Sequence, residues 1–462
     1  MTLTVARNLV VATLGVVFLS LAVTCARDAS GAPPDIFSHT RTLQGRGSPF
    51  DGRRPISMGQ DYNHDGIYEL AIGQETSSYS EVAVLNGLTG AILFANRGPD
   101  NADSGFVETI SMAGDLDNDG FRDILVGDAL VGTGHVYQYS PNSPGNLLLA
   151  PRLNYDITGP GPEPGFGSDT AVFGDRAAVA WSDKGRVRLI NPTSGATIAQ
   201  LSGRTTSGFG FSVTGIGDVN ADGVQDWLAS DPNAQGVQGE AYILSGTIAT
   251  AGSAWTPIDQ LPAGGLIASL NNQMAAAVHI GQLRTSPFAN LGDPTPANGI
   301  REQLIVSGGG DGFLAHKLTE ATPGVFTVQQ VAVANQQVGG VGQVRYLEGL
   351  GDVDRDGLGD FAVLDRTRNL VLIINGRGVL DGYQTVDVLQ TILPVSVGDD
   401  LVALSNLGDY DGNGSIDLLV AAEMSSAADI RNDIYSVAVP EPGTAALAAI
   451  AFTWWAGRKR GR

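Results

Sequence analysis

The chain has 462 residues, 62 of them Gly, with 48 acidic against 27 basic side chains and a formal net charge of −21. A body this acidic repels phosphate backbones and shows no basic cluster in its folded part, so nucleic-acid binding is excluded. Cys25 is the single cysteine, which rules out a disulfide framework and Cys-based zinc sites, and the five His residues have no ligand spacing.

Residues 1–26 read as a secretory signal peptide. Arg7 supplies the positive charge, Leu9 to Val23 is mostly apolar, and small residues lie near Ala26. A membrane anchor would need about 20 apolar residues. Cys25 opens a lipoprotein alternative, although the preceding Ala22 to Thr24 fits a lipobox poorly. Residues 27–38 are a linker, and residues 39–45 form a strand that has no repeat unit of its own.

The body, residues 39–438, is a repeat. Five segments share the pattern D-x-[DN]-x-[DN]-G-x-x-[DE]: Asp61 to Glu69, Asp115 to Asp123, Asp218 to Asp226, Asp352 to Asp360 and Asp409 to Asp417. Each runs into a short apolar stretch, and further along comes a second strand-like run ending in a turn, such as Val82 to Gly87 or Val371 to Gly376. Two stretches keep the frame without the acidic loop, one from Gly165 to Asp175 and on to Gly195, the other around Glu302 to Ser307. That makes units of about 54 residues with four short strands each, the arithmetic of a propeller blade. The expected fold is all-β: a seven-bladed β-propeller of four-stranded antiparallel blades, its last blade completed by residues 39–45. Such a closure pairs two edges that would otherwise be exposed.

Carboxylates or amides at positions 1, 3, 5 and 9, with Gly at 6 and a carbonyl at 7, can gather six or seven hard oxygens around one cation, which favours Ca²⁺. An EF-hand needs Glu at position 12, where this chain has Ile72, Val126, Ala229, Val363 and Val420. The units resemble FG-GAP repeats, as in the N-terminal propeller of integrin alpha chains; Phe209 to Asp218, running on to Pro232, is the clearest copy. That resemblance implies about five structural Ca²⁺ ions. The side-chain ligands would be Asp61, Asn63, Asp65 and Glu69; Asp115, Asp117, Asp119 and Asp123; Asp218, Asn220, Asp222 and Asp226; Asp352, Asp354, Asp356 and Asp360; and Asp409, Asp411, Asn413 and Asp417. Backbone oxygens would come from Ile67, Phe121, Val224, Leu358 and Ser415.

The C-terminus has Val439 to Pro442, an apolar run from Ala445 to Trp455 and a basic end from Arg458. Residues 439–462 resemble the bacterial PEP-CTERM sorting tail, which implies transient membrane contact, cleavage by an exosortase-type enzyme and delivery outside the cell. The reading that follows is an exported, monomeric, non-catalytic propeller that binds a surface protein or polysaccharide. The alternatives are a propeller-based polysaccharide lyase or hydrolase, with loops 251–266 and 283–300 building a pocket, and a purely structural module. Asp259 and Arg284 in those loops read as solvated, and Trp181 and Trp255 are candidate sugar platforms that also suit core packing.

Overall fold

Short apolar runs such as Ile124 to Val126 and Trp227 to Ala229 can be strands only if both faces are covered, and the structure covers them. In the computed structural model the strands Ile124–Asp128, Asp226–Asp231 and Asp360–Asp365 are buried at every position. The structure describes residues 36–44, 48–49, 56–58, 60–75, 80–97, 106–116, 120–129, 135–140, 152–158, 165–204, 206, 208–234, 239–250, 254–271, 288–292, 294, 300–309, 312–335, 341–380, 386–424 and 430–437. The signal peptide with Cys25, residues 27–35 of the linker and the 439–462 tail lie outside them.

The strands assort into seven sheets, numbered here from the first acidic loop. Sheet 1 holds Leu70–Glu75, Ser80–Leu85 and Ile92–Arg97, with Ser48–Pro49 and Ile56–Met58 both paired to Leu70–Glu75. Sheet 2 runs Phe106–Met112, Ile124–Asp128, His135–Ser140, Arg152–Thr158. Sheet 3 runs Phe166–Phe173, Arg176–Trp181, Arg186–Ile190, Thr197–Ser202 and then Thr256–Pro257. Sheet 4 runs Val213–Gly217, Asp226–Asp231, Glu240–Leu244, Leu266–Asn271. Sheet 5 runs Phe288–Asn290, Glu302–Gly309, Gly312–Thr322, Val325–Asn335. Sheet 6 runs Val344–Gly351, Asp360–Asp365, Leu370–Ile374, Val388–Ile392. Sheet 7 runs Asp400–Gly408, Asp417–Glu423, Ile430–Val437, and its outer edge is Phe37–Gln44.

This corrects the expected seven-bladed ring of uniform four-stranded antiparallel blades. Two sheets carry five strands, and one of those ends in a parallel pair, Leu201 opposite Thr256. The reason is the long connection between Glu240–Leu244 and Leu266–Asn271. Instead of turning tightly, it carries Thr256–Pro257 back onto the neighbouring sheet.

Side-chain and backbone hydrogen bonds link each sheet to the next. Tyr62 Oη donates to Arg122 O at 2.9 Å, between sheets 1 and 2. Thr109 and Thr170 hydroxyls meet at 3.0 Å, and Val213 N–H donates to Asp169 at 2.8 Å. Asn290 donates to Ile216 O at 2.9 Å, Gly359 N–H to Leu291 O at 2.9 Å, and Asn406 to Gly349 O at 2.6 Å. The last link, Tyr68 N–H to Tyr410 O at 3.0 Å, joins sheet 7 to sheet 1, so the series closes on itself. The outer edge of sheet 7 is fixed by Thr40 Oγ1 donating to Ile434 O and Thr42 Oγ1 to Asp433. The architecture is an all-β propeller.

The core lies between sheets. One face of sheet 3 packs Val187 and Leu189 against Phe209, Trp227 and Tyr242 of the sheet 4 unit, and Phe173 stacks on Trp227 with ring centroids 6.0 Å apart. The other face packs Val179 and Trp181 against Leu125 and Val136 of sheet 2. Each fully buried large side chain contributes about 1.5–3 kcal/mol.

Candidate functional site: the acidic loops

In each acidic loop the first Asp folds the chain around itself. Its Oδ2 accepts from the N–H of the position-six glycine, at 2.9 Å from Gly66, Gly120, Gly223 and Gly357 and 3.0 Å from Gly414. Those glycines have φ between 82° and 94°, a left-handed conformation that only Gly adopts without strain. Position four is also left-handed, at His64, Ala221, Arg355 and Gly412. Position three accepts from the position-five N–H, as in Asp65 to Asn63 at 2.9 Å and Asp356 to Asp354 at 3.0 Å. Position five accepts from position seven, as in Ile67 to Asp65 at 3.0 Å and Ser415 to Asn413 at 2.8 Å.

Position nine is the first residue of the next strand or stands just before it, and it is the electrostatic anomaly. Glu69, Asp123, Asp226, Asp360 and Asp417 are all 0% exposed. Each accepts from the position-two N–H, at 2.6, 2.7, 2.9, 2.9 and 2.7 Å respectively. Burial pushes Glu69 up to about 7, with the Asp65 and Asp61 charges adding to it. Burial likewise pushes Asp226 and Asp360 up to about 6 and raises Asp417 and Asp354. A raised carboxyl is one whose charge lacks compensation, and a divalent cation supplies that compensation.

Among the described residues, carboxylate oxygens gather within 4.8 Å of one another in three loops: Asp61, Asp65 and Glu69; Asp352, Asp354 and Asp356; and Asp409, Asp411 and Asp417. An all-oxygen set of like charges at that spacing fits a hard cation and repels itself without one. Asp360 stands apart from its trio because both its oxygens accept backbone N–H groups, from Val353 and from Gly376. The Asp218 loop is not among the gathered groups. There Asn220 turns its Nδ2 donor onto Asp222 at 3.0 Å, and Asp226 accepts from Val219 and Gly246. In the Asp115 loop, Asp115, Phe121 and Asp123 are described, whereas Asp117 and Asp119 lie outside the described residues.

Three polar residues that the loop pattern does not contain reach in from the neighbouring hairpin. Asn86 donates to Asp65 at 3.1 Å, Ser245 to Asp222 at 3.3 Å and Asn375 to Asp354 at 2.9 Å. The glycine after each one explains the dipeptide. A Cβ on Gly87, Gly246 or Gly376 would lie 2.1, 2.0 or 1.9 Å from the position-eight carbonyl of the loop, Tyr68, Gln225 or Gly359. The Asn-Gly and Ser-Gly turns are visible in the sequence. Their recurrence in the strand-ending turn after each of these acidic loops was the only sequence signal for their second role.

The other candidates fall out differently. Asp259 is paired: Arg204 clamps both its oxygens at 2.8–3.2 Å and reaches Glu240 at 2.8 Å. Arg284 lies outside the described residues, as do 251–253 and most of 283–300. Trp181 and Trp255 come together edge to face, 6.3 Å between centroids.

No protein-family model matches the chain. Among solved structures it is similar to a chain of Kuenenia stuttgartiensis hydrazine synthase, with 11% identity over 86% of this chain and 99% of that one and a TM-score of 0.48. A likeness at that level carries no statement about activity.

Proposed function

We propose that the chain is an exported, calcium-stabilised β-propeller of FG-GAP type, acting as a non-catalytic binding or adhesion module at the cell surface or in the extracellular matrix. The observation that carries this reading is the position-nine carboxylate, completely buried in all five acidic loops. Ca²⁺ would be held by the oxygens of positions one, three, five and nine with the carbonyl of position seven, and would supply the missing positive charge. In this reading residues 1–26 direct export and residues 439–462 are the substrate of an exosortase-type enzyme.

Structural pairing of two of the buried basic groups supports binding over catalysis. Arg431 is held by Asp399 at 2.5 Å and Asp433 at 2.8 Å, and buried His316 is bonded to Asn271 O at 2.8 Å. The test is thermal unfolding of the full chain with EDTA, then Ca²⁺ or Mg²⁺ add-back, and turnover assays on a polysaccharide panel. A melting temperature that falls and is restored by Ca²⁺ alone, without turnover, is expected. An unchanged melting temperature overturns the metal assignment, and turnover overturns the non-catalytic one.

A further inference from the structure

Two arginines are buried to the same degree, and they are treated in opposite ways. Arg431, 7% exposed, is matched by two carboxylates and the Ser396 hydroxyl. Arg188, 8% exposed, has no carboxylate partner among the described residues; its guanidinium stands 4.8 Å from the Phe166 ring centroid, and its Nε is buried without a hydrogen bond. Burial alone holds its basicity below the usual arginine range. In a chain with 48 acidic residues a carboxylate partner was easy to supply, and none meets Arg188 among the described residues.

Arg186 repeats the pattern two residues earlier on the same strand, hence on the same face of sheet 3. Its guanidinium lies 4.7 Å from the Trp255 ring centroid and 5.6 Å from that of Trp181. Arg186 and Trp255 are partly exposed, so the cluster has an open side. A guanidinium stacked on an aromatic ring uses its face and keeps its N–H edge, the edge that grips a carboxylate with two parallel hydrogen bonds. By contrast Arg204, 5.2 Å over Tyr242, has its edge filled by Asp259 and Glu240.

We propose that Arg186, backed by Arg188 and walled by Trp181 and Trp255, is the binding site for the carboxylate of an acidic polysaccharide, with the partly exposed Trp255 contacting the sugar. This rests on the surface-binding reading above and names the ligand class. The net charge of −21 opposes approach of a polyanion at long range, but charges further apart than about 8 Å are largely screened at physiological salt, so the short-range fork decides.

The test uses the calcium-loaded full chain at physiological salt, with oligogalacturonate as the probe, followed by calorimetry and tryptophan fluorescence. Saturable binding with a fluorescence change is expected, at least tenfold weaker in Arg186→Gln and partly retained in Arg186→Lys, with unchanged melting temperatures. Equal binding of the methyl-esterified oligomer overturns the proposal, because the carboxylate is then not read. Competition by sodium acetate at the same concentration overturns the sugar class in favour of a small-anion site. Undiminished binding in Arg186→Gln overturns this site and leaves the surface-binding reading standing, whereas cleavage of the oligomer overturns that reading itself. No binding at millimolar probe overturns the proposal.

Discussion

Sheets 4 and 6 and sheets 3 and 5 place different chemistry at one structural position, the first residue of the second strand. In sheets 4 and 6 that residue is Asp226 or Asp360, fully buried with its carboxyl raised by burial. In sheet 3 the loop has shrunk to a turn through Gly174 and Asp175, and the residue is Arg176, whose Nη1 donates to Ile248 O at 2.7 Å. In sheet 5 it is Glu302, 4% exposed, and Lys317 Nζ stands 3.0 Å from it with Thr319 Oγ1 donating at 3.2 Å. A buried carboxylate needs a partner of opposite charge. At this position sheet 5 carries its own ammonium and sheet 3 has no carboxylate, and in the reading proposed here the acidic loops leave the requirement to an outside cation. On that reading, demand for metal would be a property of the unit, not of the propeller.

The largest test of that contrast is calcium removal. If each of five ions binds with a dissociation constant tenfold below the free concentration, each stabilises by about 1.4 kcal/mol and together by about 7 kcal/mol. Amide hydrogen exchange should locate the loss. EDTA should deprotect Asp226–Asp231, Asp360–Asp365 and Asp417–Glu423 first, and Glu302–Gly309 and Arg176–Trp181 last. Uniform deprotection would break the comparison.

The turn glycines give the next effect. Asn86-Gly87, Ser245-Gly246 and Asn375-Gly376 pack against an acidic loop, while the same place in sheet 3 is Asn191-Pro192, where no such loop has to be approached. Gly246→Ala puts a methyl group 2.0 Å from Gln225 O and should destabilise by about 3 kcal/mol in urea unfolding. Pro192 is buried but faces no such loop, and Pro192→Ala should cost about 1 kcal/mol. Comparable losses would mean that the glycine has no special role.

What the sequence made legible divides along the same line. Acidic loops were readable because each carboxylate or amide, cap and glycine lies within nine residues, so the pattern repeats intact. The pairing of Glu302 with Lys317 was not, because the partners meet only through the register of adjacent strands, Glu302 opposite Thr319 and Lys317 opposite Leu304. The same holds for Asn86 and Asp65, set 21 residues apart in the chain. Strand numbers per sheet were unreadable at Thr256–Pro257, where a two-residue pairing has no periodicity of its own.

Sheet 5 also carries a proton-dependent element. His316 is fully buried, with Nε2 on Asn271 O and Nδ1 unpaired, and burial lowers it to about 4. The folded state keeps the ring neutral, so the unfolded chain binds the extra proton. The contribution is present above pH 6.5 and is lost as pH falls towards 4. By pH 5 about 2 kcal/mol should be gone relative to pH 7.5. Urea unfolding of wild type against His316→Gln at both pH values isolates the slope, and an identical slope in the variant would remove His316 as its source.

The smallest expected effect separates the two kinds of unit most cleanly. Lys317→Met keeps the apolar stem that lies along the strand and removes the ammonium beside Glu302. Lys317 is 28% exposed, so water takes back part of the lost interaction and the loss should be about 1 kcal/mol. Its dependence on calcium matters more than its size. If the ammonium and the proposed metal answer the same need in different units, the loss should be equal in Ca²⁺ and in EDTA. A loss that grows in EDTA would mean the units share one pool of stability, and a loss abolished by Glu302→Gln would confirm that the ammonium serves this carboxylate alone.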